Sequence, residues 1–380
     1  MGWSFPIARV FGIDIKVHVT FFLILILGAV QWGMPYGASG AAFGVLLMIL
    51  LFVCVTLHEL GHSVAAQRFG IPVREIVLLP LGGVALLSRN PTRPWHELII
   101  AAAGPLVNVV IAALLFLATG AAAVLGSLDG RALQENAPPS FSTMLLWLLQ
   151  ANVFLVLFNM IPAFPLDGGR ILRALLAMAM PAQRATRIAS LIGQAIAILL
   201  GVIGVATGNF SLALVAIFVF FGAGQENAEG QARTMLVTKR VGDAYNRHAL
   251  TLQIGDRVST VVDYILTSYQ PDFAVMQGSR LLGVVTRDDV LRSLASNPVD
   301  AYVTMVMQRE VLRVPAALTL DEVRQQMAEQ NQRVVAVYDG DLYLGLVSIE
   351  DISEALAVLA FQQRQDELRR QASQQPNSPA

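Results

Sequence analysis

The sequence predicts a polytopic α-helical membrane protein, with about six transmembrane helices and a small β-hairpin region, followed by a C-terminal α/β domain pair. Three observations predict this fold class. Of the 380 residues, 55% are hydrophobic and 14% are charged, whereas an average soluble domain has about 25% charged residues. Nearly all of the long apolar runs lie in residues 1–224. Residues 225–360 have an ordinary soluble composition and contain an internal repeat.

Six apolar runs are candidate membrane spans, because a helix needs about 20 apolar residues to cross a bilayer. They cover residues 17–30, 41–66, 98–125, 141–161, 188–206 and 210–223, of which the first and the last are short. No small-residue cleavage site follows the first run, so we interpret it as a span and not as a signal peptide. The single cysteine, Cys54, excludes an intrachain disulfide, and the net charge of −1 argues against a direct nucleic-acid partner.

Arginine is concentrated in two of the predicted loops. Four arginines lie between the second and third spans and four between the fourth and fifth: Arg68, Arg74, Arg89, Arg93, Arg170, Arg173, Arg184 and Arg187. On the opposite side, only the loop before the fourth span holds a basic residue, Arg131. The positive-inside rule therefore predicts cytoplasmic termini and cytoplasmic Arg-rich loops. Arginine also far outnumbers lysine, as in GC-rich bacteria, so we expect a multi-pass protein of the bacterial cell (inner) membrane.

Three ionisable residues interrupt the second apolar run: His58, Glu59 and His62. An ionisable side chain at bilayer depth costs about 2.5–3.5 kcal/mol on insertion scales, so it marks a functional site by default. His58 and His62 are four residues apart and therefore project from one face of a helix. Two histidines in this arrangement suit zinc, and a glutamate beside the first suits a general base. The pattern predicts metal-dependent hydrolysis inside a membrane.

A catalytic zinc ion usually has three protein ligands and one open position. His18, His96 and carboxylates are all possible third ligands, and we favour Asp167. It follows the fourth span, in a segment where Pro162 and Pro165 break the helix at the predicted depth of the histidines. A broken helix is tolerated at that depth where protein or a cavity surrounds it.

The two motifs together resemble the site-2 proteases, which are intramembrane zinc metallopeptidases. The resemblance rests on His58-Glu59-xx-His62 and on Asn159-xx-Pro162-xx-Pro165-Leu166-Asp167-Gly168, with supporting segments at 13–21 and 103–108. It covers about the first 224 residues. It implies one Zn²⁺ per chain, held by His58, His62 and Asp167, with Glu59 as the base. It also suggests that Asn108 or Asn159 contacts the oxyanion or the substrate backbone.

Residues 78–87 are apolar, rich in strand-forming residues and interrupted by Gly82 and Gly83, which predicts a hairpin or re-entrant strand pair. A helical substrate hides its peptide bonds, so an edge strand near the metal would present it in extended form by strand addition. The resemblance supports that role. It also implies a membrane-embedded protein substrate, such as an anti-sigma factor or a pro-transcription factor, cut in regulated intramembrane proteolysis.

Residues 241–298 align without a gap with residues 303–360, at an offset of 62. Each unit is predicted to form helix, strand, turn, strand and helix, and the pair resembles a pair of cystathionine-β-synthase-type (CBS) domains. The resemblance implies adenine-nucleotide contacts, with ATP or AMP, at Thr286, Asp289, Ser348 and Asp351. The same Thr/Ser-xx-Asp pattern is also a variant of the helix capping box. A homodimer through these domains is a further expectation.

We therefore predict five segments. They are a transmembrane zinc protease domain (1–224), a linker (225–238), the first and second CBS domains (239–298 and 301–360) and a disordered tail (361–380). An alternative function is a CBS-regulated membrane transporter or channel with a metal site. Transport favours polar residues spread along several spans, whereas here they converge at one depth.

Overall fold

The computed structural model describes residues 3–80, 82–87, 91, 93–124, 138–246, 249–268, 270–296 and 299–374. Arg89 and Arg131, which entered the orientation argument, lie outside these residues, as do residues 81 and 375–380. The chain divides into two compact units, 1–228 and 229–380.

The first long helix, α1 (Phe21–Arg68), contains two predicted spans in one element of 48 residues. It is broken at Gly37, whose φ of 63° and ψ of −148° lie outside the helical range. This is a conformation that glycine adopts without a steric penalty. The two arms pack closely, since a Cβ atom on Gly44 would lie 2.1 Å from the carbonyl oxygen of Gly28. One helix thus accounts for the first two of the six predicted spans.

Five helices among the described residues are long and apolar enough to cross a membrane, and α1 is the first. The others are α2 (Pro94–Val124), α3 (Phe141–Asn159), α5 (Ala182–Ala206) and α6 (Phe210–Thr238). A shorter helix, α4 (Asp167–Ala177), lies between α3 and α5 in sequence and packs against α2 and α5. The fold class predicted from the sequence is confirmed.

A four-stranded sheet packs on the second arm of α1, in the order β1-β2-β3-β4. Its strands are β1 (Ser4–Val10), β2 (Ile13–His18), β3 (Val73–Leu79) and β4 (Gly82–Leu87). The antiparallel β3–β4 hairpin covers the predicted strand pair and leaves β4 at one edge. Ile13 and Ile15 of β2 are buried with Phe52 and Leu60 of α1. Each such side chain contributes about 1.5–3 kcal/mol when buried, which fixes the sheet to the helix that carries His58.

The second unit contains two similar halves. The first has α7 (Val258–Ser268), α8 (Arg287–Ser296) and the sheet β5 (Thr251–Gln253), β6 (Asp272–Gln277) and β7 (Arg280–Thr286). The second has α9 (Val303–Val306), α10 (Leu320–Glu329), α11 (Ile349–Gln374) and the sheet β8 (Leu312–Pro315), β9 (Val334–Asp339) and β10 (Leu342–Ser348). The bounds of β6 and β9 differ by 62 positions, as do those of β7 and β10. The predicted repeat is therefore a structural one.

Two of the predicted segments contain helix in the structure. Residues 225–238, predicted to be a linker, continue α6 as helix to Thr238. Residues 361–374, predicted to be disordered, belong to α11. Both segments are polar, which suggested loops, but they are rich in Ala, Gln, Glu and Arg, which are good helix formers. Polarity and helix propensity are separate properties, so a polar segment rich in helix formers can continue a helix.

Candidate metal centre

The second arm of α1 carries His58, Glu59 and His62 without interruption of the helix. The two imidazole rings lie on one face, with centroids 4.7 Å apart. His58 is 6% exposed, so its ring lies almost entirely inside the protein. A buried imidazole needs partners for both nitrogens, and this need defines the rest of the site.

Asp167 reaches the histidines from the first turn of α4. The chain reverses sharply before it, over residues 160–166, after α3 ends at Asn159. A Cβ atom on Gly168 would lie 2.3 Å from the carbonyl oxygen of Ile161, and one on Gly169 would lie 2.5 Å from the nitrogen of Phe164. Only glycine fits at these two positions, and the tight reversal brings the Asp167 carboxylate to the depth of the histidines.

Three ligand atoms converge on one point. The Nε2 atoms of His58 and His62 are 3.1 Å apart, and Asp167 Oδ2 lies 3.2 Å from the first and 3.3 Å from the second. Ligand atoms at about 2.0–2.1 Å from a tetrahedral zinc ion are about 3.3 Å from one another. Asp167 Oδ2 is also buried, and no group of the described residues donates a hydrogen bond to it. The residues therefore fit a zinc ion, both in donor chemistry and in spacing.

The far nitrogen of each imidazole is held by the protein. His58 Nδ1 lies 2.5 Å from Asn108 Oδ1 of α2, and His62 Nδ1 lies 2.7 Å from the carbonyl oxygen of Ile100. Each acceptor fixes the tautomer in which Nδ1 carries the proton and Nε2 carries the lone pair. Asn108 is fully buried, and this contact places it beside a candidate ligand. Its predicted role at the oxyanion stays a prediction.

Glu59 differs from its neighbours because, among the described residues, no hydrogen bond or ion pair engages its carboxylate. Gly83 of β4 lies directly against it, since a Cβ atom there would be 2.4 Å from Glu59 Cγ. The edge strand and the predicted base are therefore adjacent. Gly82, the neighbouring candidate, begins β4 with a φ of 137° and has open space around it.

Gly104 is a site residue that sequence reasoning left undecided. A Cβ atom on it would lie 2.1 Å from His62 Nε2, so α2 leaves space for the imidazole at this position. The signal in the sequence is weak, because a glycine beside a proline in a span equally indicates close helix packing. Asn152 on α3 was missed altogether. It is fully buried and accepts a hydrogen bond from Asn108 Nδ2 at 2.7 Å.

Arg173 holds α4 in place. Its Nε donates to Glu97 Oε1 of α2 at 2.6 Å, and its Nη1 donates to Glu226 Oε1 of α6, also at 2.6 Å. One guanidinium thus joins three helices through charge-assisted hydrogen bonds, which are stronger than neutral ones. Because Asp167 begins the same short helix, this ion triad also fixes the third candidate ligand.

The other candidate residues in the membrane unit lie elsewhere. His18 Nδ1 is hydrogen-bonded to Thr20 Oγ1 at 2.8 Å. His96 stacks on Phe69, with ring centroids 4.1 Å apart. Neither histidine belongs to the three-residue cluster, which among the described residues is His58, His62 and Asp167. Asn159 ends α3, and no hydrogen bond among the described residues joins it to that cluster.

In the C-terminal unit, the four predicted nucleotide-binding side chains are paired with each other. Thr286 Oγ1 donates to Asp289 Oδ2 at 2.6 Å, and Ser348 Oγ donates to Asp351 Oδ2 at 2.8 Å. The backbone N–H groups of these residues complete both capping arrangements. Thr286 and Asp289 also line a cleft of about 450 Å³, whose lining includes neither Ser348 nor Asp351. The two repeats are therefore not equivalent as candidate ligand sites.

Comparison with known proteins gives consistent results for both units. The model of peptidase family M50 matches residues 46–125 and 122–200, and that of the CBS domain matches residues 303–358. A zinc metalloprotease of Methanocaldococcus jannaschii is 31% identical over 96% of this chain and 99% of its own length. The stage IV sporulation protein FB of Bacillus subtilis is 28% identical over 46% of this chain and 52% of its own length.

Among solved structures, the site-2 protease from Methanocaldococcus jannaschii is 38% identical and covers 59% of this chain and 95% of its own, with a TM-score of 0.43. The family match and the zinc metalloprotease relative, which is similar over 96% of this chain, support an enzyme and not the alternative of a transporter or channel. The protein is a membrane metalloendopeptidase with a C-terminal CBS-domain pair. The chain belongs to peptidase family M50, the site-2 proteases.

Proposed function

We propose that this protein is an intramembrane endopeptidase that cuts membrane-tethered proteins in regulated intramembrane proteolysis. One observation carries the proposal. Two imidazole nitrogens and one carboxylate oxygen converge to 3.1–3.3 Å of one another on helices that also form the membrane-spanning unit. His58, His62 and Asp167 would hold the zinc ion, and Glu59 would be the base.

The chemistry follows from the chain's own residues. When bound, a zinc ion lowers the pKa of a water molecule to about 7 and polarises a carbonyl group. Glu59 is free of protein partners among the described residues, so its carboxylate is available to accept a proton and to return it to the leaving amine. The acceptors of His58 and His62 hold both rings in the orientation that this chemistry needs.

Substrate presentation is assigned to β4, the edge strand of the four-stranded sheet. An edge strand has unpaired backbone N–H and C=O groups and can accept an extended peptide by strand addition. Because the backbone of Gly83 lies against Glu59, a peptide paired with β4 would be close to the base. A membrane-tethered protein that unwinds near its span, such as an anti-sigma factor or a pro-transcription factor, fits this requirement.

Regulation is assigned to the CBS pair. Glu226 of α6 pairs with Arg173 of α4, and α4 begins at Asp167. The same α6 continues to Thr238, and its Leu236 is 3% exposed within the core of the second repeat. We assign an adenine nucleotide to the cleft lined by Thr286 and Asp289, and a homodimer to the CBS domains.

The proposed setting is the bacterial cell (inner) membrane, with both termini and the CBS domains in the cytoplasm. The arginines that follow the second and fourth predicted spans support this orientation. They include Arg170 and Arg173, which follow Asp167 on α4, so the metal centre would lie near the cytoplasmic side of the bilayer.

Two substitutions test the proposal by separating proton transfer from metal binding. Glu59→Gln should lower cleavage by about 10²–10⁴-fold and leave zinc content unchanged, because Glu59 is not a ligand. Asp167→Ala should lower both, because two histidines alone hold zinc weakly. Zinc per chain is measured by elemental analysis of the full chain in lipid nanodiscs. Cleavage is measured in cells that co-express the full chain with single-span proteins.

The two variants control for each other, since each replaces one carboxylate in the same site. Full activity of Glu59→Gln would contradict the assignment of the base. Full zinc occupancy of Asp167→Ala would place the third ligand elsewhere. Equal loss of zinc in both variants would mean that Glu59 is itself a ligand.

A further inference from the structure

We propose that Asn152 is a positioning residue that sets the proton location on His58 through Asn108, and thereby the affinity of the site for zinc. This inference rests on the proposed role of His58 as a metal ligand. Asn152 is fully buried on α3 and lies outside the metal cluster. It is joined to that cluster by two consecutive hydrogen bonds.

The hydrogen bonds form a chain across three helices. Asn152 Nδ2 donates to the carbonyl oxygen of Leu148 at 2.8 Å, and Asn152 Oδ1 accepts from Asn108 Nδ2 at 2.7 Å. Asn108 Oδ1 then faces His58 Nδ1 at 2.5 Å. Both asparagines are fully buried, so water is not available to replace a lost partner.

The carbonyl of Leu148 determines the direction of the whole chain, because a carbonyl oxygen only accepts. It requires the NH₂ group of Asn152 at that end, so Asn152 presents its oxygen to Asn108. Asn108 must then present its own NH₂ group to Asn152 and its oxygen to His58. His58 donates Nδ1–H to that oxygen, and Nε2 carries the lone pair that faces His62 and Asp167.

The reversed arrangement is disfavoured at a single point. If Asn108 were flipped, its NH₂ group would face His58 Nδ1 and its oxygen would face Asn152. Asn152 would then have to flip and place its own oxygen against the Leu148 carbonyl, leaving two buried acceptors in contact. Such an unsatisfied buried pair costs about 1–3 kcal/mol per group. The reversed chain would also place the His58 proton on Nε2, where it blocks metal binding.

The experiment compares zinc affinity of the wild type, Asn152→Leu and a matched control, all as full chains in nanodiscs. Leucine keeps the branched shape and the number of heavy atoms of asparagine and removes both polar groups. We expect zinc affinity, measured by competition with a chelator, to fall about 10–100-fold, the range for partners that orient a metal-bound histidine. The absorption spectrum of the cobalt-substituted protein should change, because the orientation of one ligand is no longer fixed.

Thr143→Val is the matched control. Thr143 is also fully buried on α3, and its hydroxyl donates to the carbonyl oxygen of Pro138 at 2.9 Å. No hydrogen bond among the described residues joins Thr143 to the metal cluster. This variant therefore removes a hydrogen bond of a buried side chain on the same helix and leaves the chain from Asn152 through Asn108 to His58 intact. It should leave zinc affinity and the cobalt spectrum unchanged. If Asn152→Leu does not fold, Asn152→Ala removes the same amide without adding volume.

A double-mutant cycle with Asn108→Ala tests whether Asn152 acts on His58 through Asn108. Because Asn152 acts through Asn108, adding Asn152→Leu to Asn108→Ala should change zinc affinity by less than about twofold. Multiplicative losses would overturn the inference, and so would wild-type zinc affinity in Asn152→Leu. Failure of the wild type to bind zinc would contradict the proposed function itself, so the two failures are distinguishable.

Discussion

The two units of this protein each carry a polar motif that the sequence marks as functional, but their side chains are used differently. In the membrane unit, His58, His62 and Asp167 direct one ligand atom each towards one point, and within the described part of the chain Asp167 Oδ2 accepts no hydrogen bond. In the CBS unit, the Thr286–Asp289 and Ser348–Asp351 pairs are satisfied by each other and by their own backbone.

The difference shows what distinguishes a ligand site from a helix cap. A buried polar atom without a partner costs free energy, so a carboxylate oxygen placed between two histidines is typical of a metal-ligating atom. A capping pair has no such need, because its hydrogen bonds are complete in the free protein. The geometry thus supports a metal in the first unit more strongly than a nucleotide in the second.

Among the variants that compare the two units, the largest effect is expected from filling the space beside His62. Gly104→Ala places a Cβ atom 2.1 Å from His62 Nε2, so the imidazole must move away from the other two ligands. A displacement of this size typically lowers activity about 100-fold, and we expect zinc content to fall as well. Elemental analysis and cleavage assays on the same preparation measure both.

Gly120→Ala is the control for this variant. Gly120 lies on the same helix, α2, and no atom of the described residues comes within 4 Å of the position that its Cβ would occupy. It should retain zinc and activity. Wild-type zinc content in Gly104→Ala would contradict the expectation that His62 needs the space at Gly104 to bind the metal.

The sequence predicted the three convergent residues because an ionisable side chain inside an apolar span is costly unless it serves a function. An aspartate after two helix-breaking prolines, at the depth of two histidines, has few structural roles in a membrane. Gly104 and Asn152 could not be assigned in this way. Their importance depends on which helix faces which, namely α2 against α1 and α3 against α2, and no local pattern contains that information.

The second expected effect concerns the two capping pairs. If an adenine nucleotide binds the 450 Å³ cleft, Asp289→Ala should weaken binding by at least roughly tenfold, since a hydrogen bond to a charged group contributes about 1.5–3 kcal/mol. Asp351→Ala should have a smaller effect, because Asp351 does not line that cleft. Calorimetric titration of AMP and ATP into the full chain measures both affinities.

These two variants make the same chemical change at equivalent positions of the repeat, so each is a control for the other. Equal weakening by both would indicate two nucleotide sites related by the repeat. The absence of heat at millimolar AMP and ATP would mean that both pairs serve only as helix caps. Of the two polar motifs, only the one in the membrane unit would then be a candidate ligand site.

The helical conformation of residues 225–238 was not predicted, because it depends on partners that are distant in the sequence. Residues 225–238 were predicted as a linker from their polarity, but Glu226 has a specific partner in Arg173, and Leu236 is buried in a CBS core. The sequence contains both residues, but not the partners that order them. The gapless repeat was predictable in detail, because alternating apolar strands and fixed turn positions are local features.

The smallest expected effect depends on pH. The cleft also contains Asp272, where burial, and then the nearby carboxylates of Glu350, Asp351 and Asp288, raise the pKa to about 7 from an ordinary value of 3.8, while Arg333 opposes the rise. Because this pKa is higher in the folded state, the folded protein binds the proton more tightly. Stability of the CBS pair should therefore decrease as pH rises from about 4 to about 7.

Asp272→Asn should remove that pH dependence, because an amide stays neutral throughout. The measurement is amide hydrogen exchange of β6 and β7 in the full chain. Variant and wild type are compared at the same pH, so the pH dependence of the intrinsic exchange rate cancels. We expect equal protection near pH 5 and greater protection in the variant near pH 8. Asp263→Asn, at an exposed position on α7, should match the wild type at both. If the variant is less protected than the wild type at pH 8, the ionised form of Asp272 stabilises the cleft, contrary to the expectation. Both units would then contain a buried carboxylate that is stable in its charged form and suited to a cation.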